Sequence, residues 1–308
     1  MFQRRRTSRP ELVEAPVILS APDRERIRRI EIRTRHLARA FSDGNYRSVF
    51  RGSGIEFSDA REYIPGDDIR LIDWNVTARM GAPWVKEFVE ERDLSIVCAV
   101  DISDSQLVSH QAVGRLHAAA ELAALLGFVT VANRDRFGLL TFSSQIERFV
   151  PPQHGQKQVL RIVRDIIHHS TPAPGTRISV ACDYLAHALR RRSIVFLISD
   201  FFDSDYANSL RLLSLRNDVI AVALTDPIDL ELPDIGLVHF VSAEDGLSQM
   251  IDSSNPQVRH RYKELAADRV SRRQHNLAIA GVDEVEVRLD SDLVEPIARY
   301  FHARSMRQ

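Results

Sequence analysis

One stretch of the sequence, a buried strand that leads into a polar loop, constrains the fold more than any other. Residues Leu94–Val100 form a short apolar run rich in β-branched side chains, the pattern of a strand covered on both faces of a sheet. The run closes with Asp101, Ser103 and Ser105, and an apolar helical pattern follows soon after. This order is typical of an α/β protein, in which ligands bind beyond the carboxyl ends of the strands.

The rest of the chain repeats the alternation of strand and helix. Near-continuous apolar strands separated by amphipathic helices predict a doubly wound, mainly parallel α/β sheet with helices on both faces. We expect the strand at 146–150 to stop at Pro151-Pro152 and the strand at 237–241 to join the same sheet. The other predicted strands cover 136–142, 194–198, 219–224 and 284–287, and the predicted helices cover 114–132, 155–169, 178–190, 206–215, 256–280 and 293–301.

Upstream of this sheet the sequence predicts two further segments. Residues 1–22 are rich in Arg, Pro and Glu without periodicity, which predicts a disordered tail. Apolar residues at helical spacing predict a helix capped by Asp23 and reaching Phe41, with seven arginines on its other faces. Such a basic strip either meets an acidic partner or forms a solvated face tied to nearby acids. We therefore divide the chain into the tail, an N-terminal helix with an irregular, β-rich elaboration (23–93), and the α/β domain (94–308).

Composition limits the partners that the molecule as a whole can attract by charge. The chain has 308 residues and a formal net charge of -1, so the whole molecule does not match nucleic acid or an anionic membrane electrostatically. Cys98 and Cys182 lie in apolar patterns without metal-ligand spacing, as expected for buried thiols in a reducing compartment. The basic start lacks the apolar segment of a signal peptide, and the longest apolar stretch, 117–132, is shorter than the ~20 residues of a membrane span. We expect a cytoplasmic protein without a membrane span.

Three distant pieces of the sequence carry oxygen donors toward one edge of the predicted sheet. Asp101, Ser103 and Ser105 follow one strand, Asp200 follows another, and Thr176 lies in a loop that leads into a helix. Because the carboxyl ends of parallel strands meet at the same edge, we expect these side chains to converge. Carboxylate and hydroxyl oxygens suit Mg²⁺ or Mn²⁺ rather than zinc or copper. The residues leave open that Asp101 and Asp200 only cap turns and helices.

This set of residues resembles the metal-ion-dependent adhesion site of von Willebrand factor A-type domains. In those domains D-x-S-x-S, a loop threonine and a later strand-end aspartate surround one divalent ion. The resemblance implies that Ser103, Ser105 and Thr176 lie next to the ion, and that Asp101 and Asp200 accept hydrogen bonds from its waters or hydroxyls. A carboxylate from another protein would then complete the coordination.

A second unusual stretch, residues 51–88, mixes aromatic side chains with charges of both signs. Its Pro65-Gly66 pair predicts a tight turn, and the mixture indicates an ion-paired surface held by aromatic packing. The motifs Gly52-Ser53-Gly54, Arg61-Glu62-Tyr63, Pro65-Gly66-Asp67-Asp68 and Ile72-Asp73-Trp74 resemble the signature of the bacterial family called domain of unknown function 58. We assign partner binding to eight residues of this stretch: Glu56, Arg61, Asp67, Asp68, Arg70, Asp73, Trp74 and Arg79.

The family resemblance covers most of residues 45–305 and implies a function. In that family the signature precedes a von Willebrand A-like domain, and members are typically encoded beside a MoxR-type AAA+ ATPase. The resemblance therefore implies a non-enzymatic adaptor that binds this ATPase and an unidentified client protein, with Mg²⁺ or Mn²⁺ as its cofactor. One departure is Phe201, which stands where adhesion domains usually have glycine.

Two other functions remain open at this point. The first is a metal-dependent phosphoester hydrolase that uses Asp101 and Asp200. A phosphatase of the aspartyl type would carry a second acid two residues after Asp101, where this chain has Ser103. The second is a metal-free scaffold that docks its partner through the signature region alone.

Overall fold

The computed structural model describes residues 25, 27–32, 34, 55–90, 94–107, 114–168, 173–241 and 248–306, with backbone only at 55–58, 87–90, 105, 107, 240 and 241. The predicted tail and the Asp23 cap lie outside these residues. Every described position of the predicted N-terminal helix is helical. Ile30 and Thr34 are buried, and Ile30 belongs to the main hydrophobic core.

The structure is built on a six-stranded sheet. Its strands are β3 (Ser95–Asp101), β4 (Arg136–Phe142), β5 (Ile146–Gln153), β6 (Ile194–Ser199), β7 (Asp218–Thr225) and β10 (Asp283–Arg288), in the spatial order β10-β7-β6-β3-β4-β5. All pairs are parallel except β4 with β5. The predicted doubly wound, mainly parallel α/β fold is confirmed. The chain enters this sheet at the central β3, continues to the β5 edge, and then returns to β6 on the other side of β3. The junction of β3 and β6 is therefore a topological switch point.

Helices cover both faces of the sheet and create two hydrophobic cores. On one face lie α3 (Arg115–Ala132), α4 (Gln156–Ile167) and α9 (Glu295–Ser305), and on the other lie α5 (Ile178–Ala188), α6 (Ala207–Ser214) and α8 (Pro256–Ala280). Two short helices, α2 (Asp104–Leu107) and α7 (Pro227–Leu230), follow the carboxyl ends of β3 and β7. These ends therefore meet a shell of loops and helix starts.

Helix α3 lies in the middle of the first core. It is the one helix of the described ranges whose length and apolar composition would suit a membrane span, and 78% of it is buried inside the protein. Its Gly127 permits close packing, because a Cβ there would lie 2.7 Å from Val159 Cγ1 and 2.8 Å from Phe137 Cε1. The apolar composition of α3 is accounted for by the sheet and helix that surround it.

Two strand predictions were wrong. Strand β8 (Leu237–Val241) does not join the central sheet but pairs antiparallel with β9 (Ser248–Asp252), a strand that the sequence pattern did not predict. Strand β5 continues through Pro151-Pro152 to Gln153, because it lies at the sheet edge, where missing N–H donors are tolerated. Gly138 on β4 makes room, since a Cβ there would lie 2.9 Å from the Pro152 nitrogen.

The region before the central sheet forms a separate two-stranded sheet. Strand β1 (Ile55–Glu62) pairs antiparallel with β2 (Trp84–Glu90), and a 3-10 turn (Ile69–Leu71) and α1 (Trp74–Met80) lie between them. Gly81 ends α1 in the left-handed region, with a φ of 73° that favours glycine. The expected β-rich elaboration is therefore built on a hairpin-like pair of strands with a long connection.

Candidate functional site

The two strand-end aspartates lie at the switch point of the sheet. Asp101 ends β3 and Asp200 follows β6, and these strands are neighbours, with Val100 in register with Ile198. Both residues are almost fully buried, at 1% and 2% exposure. The fold therefore places two carboxylates side by side where α/β proteins bind ligands.

Asp101 is held by several donors. Its Oδ1 accepts a hydrogen bond from the Ser103 N–H at 3.0 Å, and its Oδ2 accepts from Ser199 Oγ at 2.6 Å and from Gln106 Nε2 at 3.4 Å. Burial raises the pKa of the Asp101 carboxyl, and the negative charge of Asp200 raises it further, against the effect of the serine hydrogen bonds. A cation bound next to the two acids would favour their ionised form.

Thr176 reaches the same place from a distant loop. Its Oγ1 donates a hydrogen bond to the buried Ser103 Oγ at 2.7 Å. The loop is held at one end by Glu147, whose Oε1 accepts from the Ala173 N–H at 2.9 Å, and at the other by Asp203, whose Oδ2 accepts from the Ile178 N–H at 2.8 Å. The position of the Thr176 hydroxyl is thus set by two acidic side chains outside the site.

One buried cation accompanies the acids of the site. Arg115 Nε lies 4.0 Å from Asp200 Oδ2, and Arg115 Nη2 lies 2.5 and 2.6 Å from the two oxygens of Asp229. Asp229 in turn accepts from the Asp226 N–H at 2.9 Å, in the capping box that starts α7. Because Arg115 makes its short contacts with Asp229, it offsets the charge of Asp200 only from a distance.

Phe201, the departure from the adhesion-site pattern, takes the backbone conformation of a glycine. Its φ is 59°, a value that bulky residues rarely adopt. Its N–H donates to Ser199 Oγ at 3.1 Å, and its buried ring packs on Tyr206 with centroids 5.7 Å apart. Side-chain packing therefore offsets the backbone strain, and the turn keeps the geometry that glycine would provide.

Four of the five residues predicted to bind metal come together: Asp101, Ser103, Thr176 and Asp200. The backbone of Ser105 lies in α2, and its side chain is outside the described part of the chain. Within the described ranges, no group of three or more His, Cys, Asp and Glu side chains is placed to hold a metal ion. A cation here would depend on serine and threonine hydroxyls as well as on two carboxylates, an all-oxygen set of the kind that suits Mg²⁺.

The alternative in which Asp101 and Asp200 only cap turns explains one oxygen of each carboxylate. Oδ1 of Asp101 accepts from a backbone N–H two residues on, and Oδ1 of Asp200 does the same with the Phe202 N–H at 3.2 Å. Capping does not explain why the two acids are buried beside each other, since a capping aspartate is stable in contact with water.

Sequence reasoning missed the residues that support the site. Ser199 and Gln106 lie beside the predicted aspartates, so hydrogen-bonding side chains near a strand end were an available signal. Arg115 had no such signal, because its partner Asp229 is 114 residues away. Glu147 and Asp203 could not be predicted for the same reason, since the backbone N–H groups that they bind are 26 and 25 residues away.

The signature region uses half of its eight predicted partner-binding residues to shape its own loop. Arg61 and Asp67 form a two-pronged ion pair at 2.7 and 2.8 Å, which lowers the Asp67 pKa to about 2. Asp68 caps the 3-10 turn, and Asp73 caps α1 through the N–H groups of Asn75 and Val76. These four residues are internal supports of the loop.

Three of the remaining predicted residues of the signature region face solvent. Trp74 is 70% exposed, and Arg70 and Arg79 are exposed as well. Ile64, Ile69 and Met80, which were not predicted, add apolar surface to the same loop and helix: all three are exposed. The side chain of Glu56 lies outside the described part of the chain. We call this exposed set the signature surface.

Comparison with known proteins identifies relatives. A family model described as "Protein of unknown function DUF58" matches residues 59–272, most of the chain. Uncharacterised proteins of Mycobacterium bovis and Mycobacterium tuberculosis are each 29% identical over 281 residues, which covers 90% of this chain and 88% of theirs.

Solved structures align with the fold as well. An aerotolerance-related membrane protein from Bacteroides fragilis aligns at a TM-score of 0.47 and 15% identity, covering 70% of this chain and 100% of that one. The SpRpn10 VWA domain aligns at a TM-score of 0.39 and 13% identity, covering 66% of this chain and 93% of that one.

Proposed function

The chain belongs to the DUF58 family, and we propose that it is a metal-dependent protein-binding module with a von Willebrand A-like domain. In this proposal Mg²⁺ or Mn²⁺ is held by Asp101, Ser103, Thr176 and Asp200, and the ion captures an acidic residue of a partner protein. The observation that carries it is the buried pair Asp101 and Asp200 facing hydroxyls supplied by a separate loop. Two desolvated carboxylates destabilise each other unless positive charge accompanies them.

The residues present fit such an ion. The Ser103 and Thr176 hydroxyl oxygens lie 2.7 Å apart and share a hydrogen bond. They are therefore close enough together to coordinate the same ion. Ser199 and Gln106 hold the Asp101 carboxylate in place, as supporting hydrogen-bond donors do at metal sites. When bound, the ion would supply a coordination position for an incoming carboxylate, because neutral hydroxyl ligands leave its charge only partly neutralised.

A binding function is favoured over hydrolysis by the same contacts. Ser103 occupies the place where an aspartyl phosphatase has its second acid, and its hydroxyl accepts the Thr176 hydrogen bond. Phosphate-ester turnover that depends on Mg²⁺ and disappears in Asp101→Ala would contradict the purely binding function.

The partner in this proposal is a MoxR-type AAA+ ATPase, with the captured acid on that ATPase or on a client protein. The exposed Trp74, Arg70 and Arg79 of the signature surface give the chain a second contact region, of the aromatic and arginine composition that is enriched at interfaces. Partner binding that survives EDTA unchanged would favour the metal-free scaffold instead.

A calorimetric titration with Mg²⁺ and with Mn²⁺ tests the metal site directly. We expect one saturable site in the parent protein and no measurable binding in Asp101→Ala. Thr176→Ala, which removes one hydroxyl ligand, is expected to weaken binding by about 10-fold to 100-fold. The matched control is Asp268→Asn on the exposed face of α8, which removes one acid elsewhere and keeps the parent affinity.

Circular dichroism establishes that each variant is folded before the titration is interpreted. A folded parent that binds neither ion, or an Asp101→Ala variant that binds as well as the parent, would overturn the metal site.

A further inference from the structure

The edge of the central sheet opposite the candidate site carries a dense group of arginines. They lie in the loops that enter three strands of the sheet: Arg134 before β4, Arg190, Arg191 and Arg192 before β6, and Arg216 before β7. All five are exposed. We call these residues, together with the apolar residues described below, the amino-edge surface.

The strand register brings these loops next to one another. The first residue of β6, Ile194, is in register with Asp218 of β7 and with Ile96 of β3. The start of β3 is in turn in register with the start of β4, at Ser95 and Arg136. The Ser193 N–H donates to Asn217 Oδ1 at 3.1 Å, so the loops before β6 and β7 are directly joined. With strands about 4.8 Å apart, the arginines span roughly 15 Å.

Few of the acids that the structure describes neutralise this charge. Arg190, Arg192 and Arg216 form no ion pair with any residue of the described ranges. Of the described acids nearby, Asp135 is buried and accepts from the Leu94 N–H, Asp218 is paired with Arg304 at 2.5 Å, and Asp283 lies 3.8 Å from the same arginine. The partial negative charges at the carboxyl ends of α3, α5, α6, α8 and α9, which all lie at this edge, offset part of the arginine charge, and each amounts to about half an elementary charge.

Exposed apolar side chains lie at the same edge. Helices α6, α8 and α9 all end there. Leu212 and Ile279 are exposed in the last turns of α6 and α8, and Leu215 and Met306 are exposed directly after α6 and α9. Leu215 and Met306 are the most exposed, at 71% and 78%. The ends of the helices are joined, since Ser214 Oγ of α6 donates to the Ala280 carbonyl of α8 at 2.8 Å, and Arg304 of α9 contacts Asp218 of β7.

We propose that the amino-edge surface binds the surface of a membrane that contains anionic lipids. Arginines interact with lipid phosphate groups, and aliphatic side chains between them enter the boundary between headgroups and acyl chains. Nucleic acid would use the arginines but not the exposed leucines, isoleucine and methionine, because its surface at this scale is charged and hydrated. The overall charge of -1 does not oppose this contact, since acids elsewhere are screened within about 10 Å.

The proposal gives the molecule an orientation. Because the strands are parallel, a membrane at their amino ends leaves Asp101 and Asp200, at their carboxyl ends, directed away from the bilayer. The candidate site would then face partners in solution while the opposite edge is attached. This inference does not depend on the proposed metal site.

The signature surface differs from the amino-edge surface in its charge. It also exposes apolar side chains beside two arginines, Arg70 and Arg79. However, five acids are interleaved with them: Asp59, Glu62, Asp67, Asp68 and Asp73. Charge complementarity to an anionic bilayer therefore favours the amino-edge surface.

Sedimentation with lipid vesicles tests the proposal on the full chain. We expect binding to phosphatidylcholine vesicles that contain about a third phosphatidylglycerol, little binding to phosphatidylcholine alone, and weaker binding as salt is raised. The double reversal Arg190→Glu with Arg192→Glu should weaken binding about tenfold or more. Leu215→Ser should weaken it by a smaller factor without changing the salt dependence.

The matched control is Arg70→Glu with Arg79→Glu, which changes the net charge by the same amount on the signature surface. Each variant is first shown to have the parent's circular dichroism and melting temperature. Parent-like binding by the control supports the proposal. The proposal is overturned if the parent ignores anionic vesicles, if the control loses as much binding as the amino-edge variant, or if a short DNA duplex binds more tightly than the vesicles.

Discussion

The candidate site and the signature region differ in how far along the chain their contacts reach. Asp101 is held by Ser199, 98 residues away, and Ser103 by Thr176, 73 residues away. In the signature region, Arg61 pairs with Asp67 over six residues. The site therefore exists only when the whole sheet is folded, whereas the signature loop is stabilised largely by its own neighbours in sequence.

Among the variants that test this difference, the largest loss of stability is expected at Arg115. Replacing it with methionine leaves Asp229 without its cation in a buried setting, which is expected to lower the free energy of unfolding by about 3 to 5 kcal/mol. Urea denaturation measures this loss. The matched control, Arg299→Met, removes an exposed pair with Glu295 and should cost about 0.5 kcal/mol or less. Equal losses in the two variants would mean that the site does not depend on its buried cation.

Magnesium is expected to stabilise the site and not the signature region. At a concentration about 100 times its dissociation constant, Mg²⁺ should raise the free energy of unfolding by about 2.7 kcal/mol in the parent. The same gain is expected in Trp74→Ala, because that side chain is exposed and distant in sequence. Asp101→Ala should show no gain, and a gain equal to the parent's would contradict the assigned ligand set. Thermal melts with and without EDTA provide the measurement.

A cap in the signature region is expected to have an intermediate effect. Asp73→Ala removes the hydrogen bonds to the Asn75 and Val76 N–H groups, which should cost about 1 kcal/mol. The magnesium affinity should stay unchanged, because both hydrogen bonds lie within the first turn of α1. Asp59→Ala, at an exposed position of β1, is the control. A fall in magnesium affinity for Asp73→Ala alone would show that the two regions are coupled.

Trp74 is expected to matter for binding and hardly at all for folding. Trp74→Ala should change the free energy of unfolding by about 0.5 kcal/mol or less, since the ring is mostly in solvent. Affinity for the proposed ATPase partner should fall, because exposed tryptophans often carry interface energy. A pull-down beside Leu265→Ala, an exposed apolar residue of α8, distinguishes a specific contact from a general reduction of apolar surface.

The smallest effect concerns acid pH. The ion pair with Arg61 lowers the pKa of Asp67 from 3.8 to about 2, so the folded state favours the ionised carboxylate. The stability that this residue adds is therefore present above pH 3.8 and is lost as the pH falls toward 2. Asp67→Asn should be less stable than the parent at neutral pH and should approach it at the acid end. A difference that does not change with pH would mean that charge is not what the pair contributes.

Much of the central sheet could be predicted from local pattern. Strand β4 and helix α8 have the predicted bounds, because a continuous apolar strand and a capped helix are visible within a short window. Strand β8 was wrongly placed because its apolar pattern does not say which strand it pairs with. The prolines of β5 were misread because tolerance of proline depends on an edge position that only the folded sheet defines.

For the candidate site, the sequence determined which oxygen donors were available and which strand ends would carry them. Asp101 and Asp200 follow apolar runs, and parallel strands bring such ends to one edge. Only the tertiary structure decided that the two carboxylates are buried together, that Arg115 accompanies them, and that Phe201 adopts a glycine-like turn. The first two properties depend on contacts between residues about 100 positions apart, and burial and charge at such contacts arise only when the cores on both faces of the sheet have formed.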